Sequence, residues 1–184
     1  MKEMNCVVLD FLQSGYADRR HTEPIAQAIG TSFFSLLELV AREGVNLKQD
    51  EEVYIGEGKR DKIRFIRGQL NYDDLTNMSR NALPDVVEKL VKANEKRFVE
   101  FFNKGPIITP RMHQFQLLPG VGKKHMMDIL EERHRRPFES FEDITNRVKL
   151  FPDPVKTVVR RILLELEGNE KYYIFAVRQA RPNF

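Results

Sequence analysis

A single cysteine, Cys6, stands in 184 residues, which excludes an internal disulfide framework and any cysteine-rich zinc or iron–sulfur site. Next to Val7 it reads as a small core residue. Histidine is also sparse: His21, His113, His125 and His134 form no HExxH pair and have no cysteine partner with which to share a metal. Long apolar runs are missing. No stretch approaches the ~20 residues of a membrane-spanning helix, and Met1-Lys2-Glu3-Met4-Asn5 is not followed by a secretory core and cleavage site. A cytoplasmic chain with no membrane partner is expected. With no G-x-S-x-G elbow or carboxylate constellation either, no catalytic residue, metal or cofactor is assigned, and a non-enzymatic role is expected.

What is present is ordinary for a folded chain: 41% hydrophobic residues, enough for one good core or two small ones. The net charge of +3 and a pI near 9.0 favour a polyanionic partner only mildly. Distribution says more. Residues 1–104 hold 16 Lys and Arg against 17 Asp and Glu, whereas residues 105–184 hold 14 against 10. The positive excess lies in the C-terminal part.

Gly105-Pro106 is the clearest break, because Gly then Pro is how helices end. Before it, Val86, Val87, Leu90, Val91, Phe98, Phe101 and Phe102 predict one amphipathic helix over 84–103, with Pro84 in its first turn. Residues 5–70 carry short apolar runs between turn residues: Cys6 to Leu12, Pro24 to Gly30, Phe33 to Val40, Glu52 to Ile55 and Lys62 to Leu70. They predict five strands, although Phe33, Leu36, Leu37 and Val40 also fit helical spacing. Five strands in this length match the pattern of the OB-fold, a small Greek-key barrel that often binds oligonucleotides. Within them, Lys59, Arg60, Lys62, Arg64 and Arg67 form a basic strip. Strand alternation would set Lys62 and Arg64 on one face and Ile63 and Phe65 on the other. That strip suits a phosphate backbone, with Tyr54 or Phe65 available for base stacking. It equally suits an exposed hairpin charged for solubility.

The strongest motif is Leu118-Pro119-Gly120-Val121-Gly122-Lys123-Lys124, which reads as the phosphate-gripping loop of a helix-hairpin-helix. Thr109-Pro110 predicts an N-cap and first helical residue, with Met112, Phe115 and Leu118 on the apolar face of a first helix. A second helix begins near Lys123, with Met126, Met127, Ile129 and Leu130 on its packed side. Gly120 and Gly122 let the backbone turn and let a phosphate oxygen approach the unpaired amides of the helix start, while Val121 tucks inward. Lys123 and Lys124 place charge where the helix dipole is already positive, a conflict that an anion relieves. Such contacts grip backbone without reading bases. The alternative is a helix-turn-helix connection whose glycines only permit tightness. A P-loop fails, since Leu117 and Lys124 stand where Gly and Ser or Thr are required.

A degenerate second copy follows: Ile144, Val148 and Leu150 lead through Phe151-Pro152-Asp153-Pro154 into an apolar helical pattern at Val155, Val158, Val159, Ile162, Leu163 and Leu166. Pro154 has no N–H, and Asp153 repels phosphate, so this hairpin is expected to pack on the first. Arg160 and Arg161 could still reach a phosphate. Phe138 to Asp143 suits a short bridging helix, with Ser140 as its cap. Lys171 to Val177 reads as a strand closing back on the N-terminal sheet. The chain also resembles base-excision glycosylase/lyases at Leu-Pro-Gly-Val-Gly and its basic pair. That resemblance makes Lys124 a Schiff-base nucleophile and Asp143 its partner, but the stretch around Asp143 and the single cysteine do not fit it.

Glu52 to Gly56, Asn94 to Asn103 and Pro137 to Asp143, taken with the hairpin, resemble a mainly archaeal domain-of-unknown-function family, numbered six-five-five. The resemblance spans nearly the whole chain and favours strand for Phe33 to Val40. It implies an α+β chain: an N-terminal five-stranded OB-like β-barrel (1–75), connecting helices (76–105), and an α-helical tandem helix-hairpin-helix domain with a C-terminal strand (106–184). It further implies binding of RNA or DNA and, from neighbouring genes for ribosomal RNA dimethylation, a place in ribosome maturation or translation. Ribosomal or translation-related proteins are then possible partners, and a protein-interaction adaptor is the alternative function. No catalytic residue carries over from the family.

Overall fold

The alternating apolar runs of the N-terminal part become five strands in the computed structural model, which describes residues 2–17 and 22–178. His21 lies outside the described residues. The strands are β1 (Asn5–Leu12), β2 (Ile25–Gly30), β3 (Leu36–Ala41), β4 (Glu52–Tyr54) and β5 (Ile63–Gln69). They form one antiparallel sheet in the order β4-β1-β2-β3-β5. Its first four positions are the Greek-key arrangement, with β4 returning beside β1. Of the residues from Phe33 to Val40, those from Leu36 on form strand, with both faces of β3 buried, whereas Phe33, Phe34 and Ser35 belong to the turn before it, Phe34 at φ of +55°. β4 and β5 are the two edges and do not pair with each other, so the sheet is a curled half-barrel, where a barrel was expected. Its concave face holds Cys6, Val8, Ala26, Ala28, Leu37, Leu39, Ala41, Val53, Ile55 and Ile63. Cys6 is fully buried there, and its thiol is pushed well above the ordinary range by burial first and by the charges of Glu3 and Glu52 second.

Two buried carboxylates organise the loops of this unit. Glu3 accepts hydrogen bonds from the amides of Ser32 (3.0 Å), Phe33 (2.8 Å) and Ser35 (3.3 Å). Its carboxyl group lies where a Cβ on Gly30 would stand, 2.0 Å from the Glu3 Cδ position. Any side chain at 30 would therefore displace that carboxylate from the three amides it holds. Glu165, 1% exposed, accepts from the amides of Ile174 (2.8 Å), Phe175 (2.9 Å) and Ala176 (2.7 Å). The amide of Val177 then donates to the carbonyl of Phe33 at 3.0 Å. So the segment from Lys171 to Val177 does return to the N-terminal part, but as a bent chain held by a side chain, not as the strand expected. Three successive amides drawn to one carboxylate cannot alternate their directions as a strand ladder requires.

The helical part begins earlier than the apolar spacing implied. Helix α1 (Asn77–Ala93) starts after Thr76, whose hydroxyl accepts from the Ser79 amide at 3.0 Å. Pro84 consequently sits inside the helix. A break at Asn94, whose side-chain amide donates to the Leu90 carbonyl at 2.9 Å, separates α1 from α2 (Glu95–Lys104). One predicted helix is thus two. Thr109-Pro110 starts no helix either: β6 (Ile107–Thr109) and β7 (Met112–His113) make a small hairpin with Pro110 and Arg111 at its turn, and only Gln114–Leu117 form a 3-10 turn. Then come α3 (Lys123–Arg135), α4 (Phe141–Arg147) and α5 (Pro154–Glu167). Ser140 caps α4 as expected, its hydroxyl accepting from the Asp143 amide at 3.0 Å.

The chain divides into two compact units at positions other than Gly105. One contains the residues up to Val86 and those from Leu164 onward; the other is Val87–Leu163. Both boundaries fall inside helices, α1 and α5. No helix among the described residues is long and apolar enough to cross a membrane.

Candidate functional site

In the second unit, Leu118, Pro119, Gly120 and Val121 form a tight turn. The Val121 amide returns to the Leu118 carbonyl at 3.1 Å, and Gly120 has φ of +80°. Proline second and a left-handed glycine third are the residue types of a type II turn. Leu118 and Val121 are buried, so the turn is anchored at both ends and Val121 points inward as expected. The chain then passes Gly122, extended at φ −87° and ψ −177°, directly into α3. The first bond of that helix runs from the Met126 amide to the Gly122 carbonyl, 3.0 Å. Among the described residues, the amides of Gly122, Lys123, Lys124 and His125 donate to no protein acceptor. These are the four orphan donors of a helix start. The first turn of α3 contains no acidic residue, and Lys123 and Lys124 are exposed with no ion pair. On the packed side Ile129 is buried, but Met127 is exposed, contrary to the expected face.

The second loop repeats this geometry with different chemistry. Val148, Lys149, Leu150 and Phe151 form a turn in which the Phe151 amide returns to the Val148 carbonyl at 3.3 Å and the third residue, Leu150, has φ of +58°. Val148 and Phe151 are buried like Leu118 and Val121. Here, however, Asp153 caps the following helix: its Oδ1 accepts from the Lys156 amide at 3.0 Å, and its carbonyl accepts from the Thr157 amide at 2.9 Å. A carboxylate of the chain itself caps the start of α5, where α3 has only Gly122. The loops pack together. A Cβ on Gly120 would stand 3.7 Å from Pro152 Cγ, and the His125 and Phe151 rings meet edge to face at 5.8 Å.

Arg160 is exposed, whereas Arg161 is only 2% exposed and donates from Nη1 to the Leu117 carbonyl at 3.1 Å. Arg161 is therefore a strut between α5 and the 3-10 turn before the first loop and not a surface contact: α5 turns this position inward beside Val158 and Ile162. A similar strut, Arg133, donates to the carbonyls of Gly105 (3.0 Å) and Phe102 (3.4 Å). It thereby satisfies the C-terminal end of α2. Near it, the buried His113 accepts from the Phe115 amide at 3.2 Å. Burial first, and the Arg133 charge second, hold this imidazole below its ordinary value, and a hydrogen bond with Gly105 offsets them only partly.

Asp143 is not placed against Lys124. It accepts from Arg147 (3.0 Å), from Arg136 (3.2 Å) and from the Glu139 amide (3.1 Å). Burial raises its pKa, but these hydrogen bonds and the charges of the two arginines outweigh that and hold it below the ordinary carboxylate value. Arg147 also lies over the Phe138 ring at 4.6 Å, so this cluster locks α4 against the end of α3.

In the first unit the basic strip is only partly free. Register shifts in the β3–β5 pairing skip Arg64 and Arg67, since Ala41, Val40, Leu39 and Glu38 face Ile63, Phe65, Ile66 and Gly68. These bulges break the expected alternation. Phe65 emerges 38% exposed, flanked by the guanidinium groups of Arg64 (5.8 Å) and Arg67 (6.0 Å). Lys62 is paired with Glu51, and Arg67 with Glu23 and Glu38. Arg60 donates to the Gly56 carbonyl at 2.8 Å. Among the described residues, Lys59 and Arg64 are the two of these five cations that are exposed without a carboxylate or carbonyl partner. Tyr54 packs on its own turn, its hydroxyl accepting from the Gly58 amide at 3.1 Å. Two exposed residues of the second loop, Lys149 and Leu150, were not singled out by the sequence as contacts. Aligning 118–121 with 148–151 would have found them.

A family model described as a protein of unknown function (DUF655) matches residues 2–177. An uncharacterized protein of Methanocaldococcus jannaschii is 44% identical over 170 residues, covering 91% of this chain and 77% of that protein. A crystal structure from Archaeoglobus fulgidus, assigned to the same family model, is similar with a TM-score of 0.87 and 46% identity, over 95% of this chain and 100% of that one.

Proposed function

The chain belongs to the DUF655 family of proteins of unknown function, and we propose that it is a non-catalytic nucleic-acid-binding protein that holds RNA or DNA by its phosphates. The observation that carries this reading is the difference between the two helix starts. α5 is capped by Asp153, whereas α3 opens on Gly122 with four unbonded amides and two exposed lysines. On this reading the two loops are a degenerate pair of helix-hairpin-helix elements, the first gripping phosphate and the second bracing it. The first arm is reduced to a 3-10 turn, but the turn, the glycines and the helix start that a phosphate needs are all there. The half-barrel is read as OB-like, with Lys59, Arg64 and the ring of Phe65 as a second contact surface. The neutralised Lys62 and Arg67 contribute little to it. A lyase reading finds no support in Asp143, whose oxygens are taken up by arginines.

Gly122→Asp tests the proposal. A Cβ at 122 meets nothing within 4 Å, and Asp is a better N-cap than Gly by a few tenths of a kcal/mol. The variant should fold at least as well as the parent, yet supply its own anion and lose affinity for a labelled duplex in fluorescence anisotropy. Unchanged affinity in the folded variant would remove the loop from the interface.

A further inference from the structure

We propose that Leu150 is an apolar wedge of the second loop, seated against sugar and base edges in the minor groove of a duplex whose phosphates the first loop holds. The inference rests on the nucleic-acid reading above. Leu150 is 87% exposed and has φ of +58°. Both properties disfavour leucine there. A left-handed conformation brings the Cβ of an L-residue against the following carbonyl, which glycine avoids and asparagine tolerates, and an isobutyl group in water contributes nothing to the core. Gly120 fills the same turn position in the first loop with the residue type the backbone prefers. Folding alone thus gives no reason for leucine at 150, and a contact outside the chain does.

The occupant follows from the surroundings. Val148 and Phe151 are buried on either side, so the turn presents the side chain on a fixed backbone and little freedom is lost on contact. The adjoining loop touches it through the His125 and Phe151 rings, and a Cβ on Gly120 would come within 3.7 Å of Pro152. Within residues 118–125 and 148–157 the charged residues are Lys123, Lys124, Lys149 and Lys156, all exposed, and one carboxylate, Asp153, which is bonded to the Lys156 amide and lies within electrostatic range of Lys92, itself paired with Glu88. A partner must present negative charge and an apolar surface within the span of two touching loops. Phosphates flanking the sugars and base edges of a minor groove do so, and insertion of Leu side chains there is an established way to engage a duplex.

The test compares the full-length chain with Leu150→Asn and Leu150→Gly, both suited to positive φ, by anisotropy on short RNA and DNA duplexes over a range of salt. Burying one leucine side chain corresponds to about tenfold in affinity. Both variants should bind about tenfold more weakly with an unchanged salt slope, because no phosphate contact is removed, and their melting temperatures should not fall. Wild-type binding that Gly122→Asp abolishes but the Leu150 variants leave intact overturns the wedge alone. A wild-type chain that binds no duplex overturns the parent reading and the wedge with it. Unchanged duplex affinity accompanied by altered self-association in sedimentation assigns Leu150 to a second copy of the chain, and also overturns the proposal.

Discussion

Replacing Lys123 and Lys124 together by Gln should move folding and binding in opposite directions. Both side chains are exposed, neither is ion-paired, and both stand in the first turn of α3, where no acidic residue offsets the helix dipole. Removing a cation from that end is worth about 0.3–1 kcal/mol to the helix, so the double variant should melt at the same temperature as the parent or higher. Binding carries the opposite sign. Each phosphate neutralised by a lysine adds about 0.9 to the slope of log affinity against log salt. Losing two contacts lowers the slope by about 1.8, so between about 50 and 200 mM salt the parent should lose roughly twelvefold more affinity than the variant. The two binding curves must converge as salt rises. Lys62→Gln is the control: its ammonium already faces Glu51, and it should leave the slope as it was. Anisotropy titrations at four or more salt concentrations, with thermal melts of the same preparations, measure both quantities. An unchanged slope in the double variant refutes the assignment of these lysines to phosphates. A lowered melting temperature refutes the dipole argument.

Two further outcomes concern stability. Glu165→Ala removes the acceptor of three amides at once and leaves them without partners. A loss on the order of 3 kcal/mol in denaturant unfolding is expected, with hydrogen exchange fastest at Ile174 to Ala176, and a loss below ~1 kcal/mol would contradict the role given to this carboxylate. His113 is held below the ordinary imidazole value of 6.5, so the unfolded chain binds its proton more readily. The stability this supplies is complete above pH 6.5 and is lost as pH falls through the lower folded value. A ring titration by NMR with its midpoint at or above 6.5 would show the assignment to be mistaken.

The five strands were legible because turn residues bracket each apolar run and the pleat repeats every two residues. The helical part was less so, for identifiable reasons. Thr109-Pro110 fits a helix start and also the corner of a hairpin, since proline's fixed φ serves both. Thr76 was a better cap than anything near Pro84, and its Ser79 partner carries little signal in a sequence. The bulges at Arg64 and Arg67 redirect Phe65 without any residue that announces them. In the candidate site, Gly120, Val121, Gly122 and the two lysines were readable because glycine marks its own backbone. Leu150 was not, because leucine at positive φ looks like any other leucine. Arg161 was misplaced because a helical run of apolar residues does not reveal which arginine beside it turns inward.

The carboxylate of Glu165 and the bond from Val177 to Phe33 have a consequence for the order of events as the chain is made. The sheet-bearing unit takes its residues from both sides of Val87–Leu163, so the intervening unit leaves the ribosome complete while the first still lacks its final contacts. Phe33 must wait for Val177, more than a hundred positions later in synthesis. Pairings so distant in sequence close late and slowly. Until then, the turn over Glu3 and the buried Gln27 and Glu38 are held by partners as far along the chain as Thr76. While the segment from Leu164 to Val177 is still inside the exit tunnel, the sheet-bearing unit lacks both the Glu165 carboxylate and the bond to Phe33, and only release of that segment supplies them.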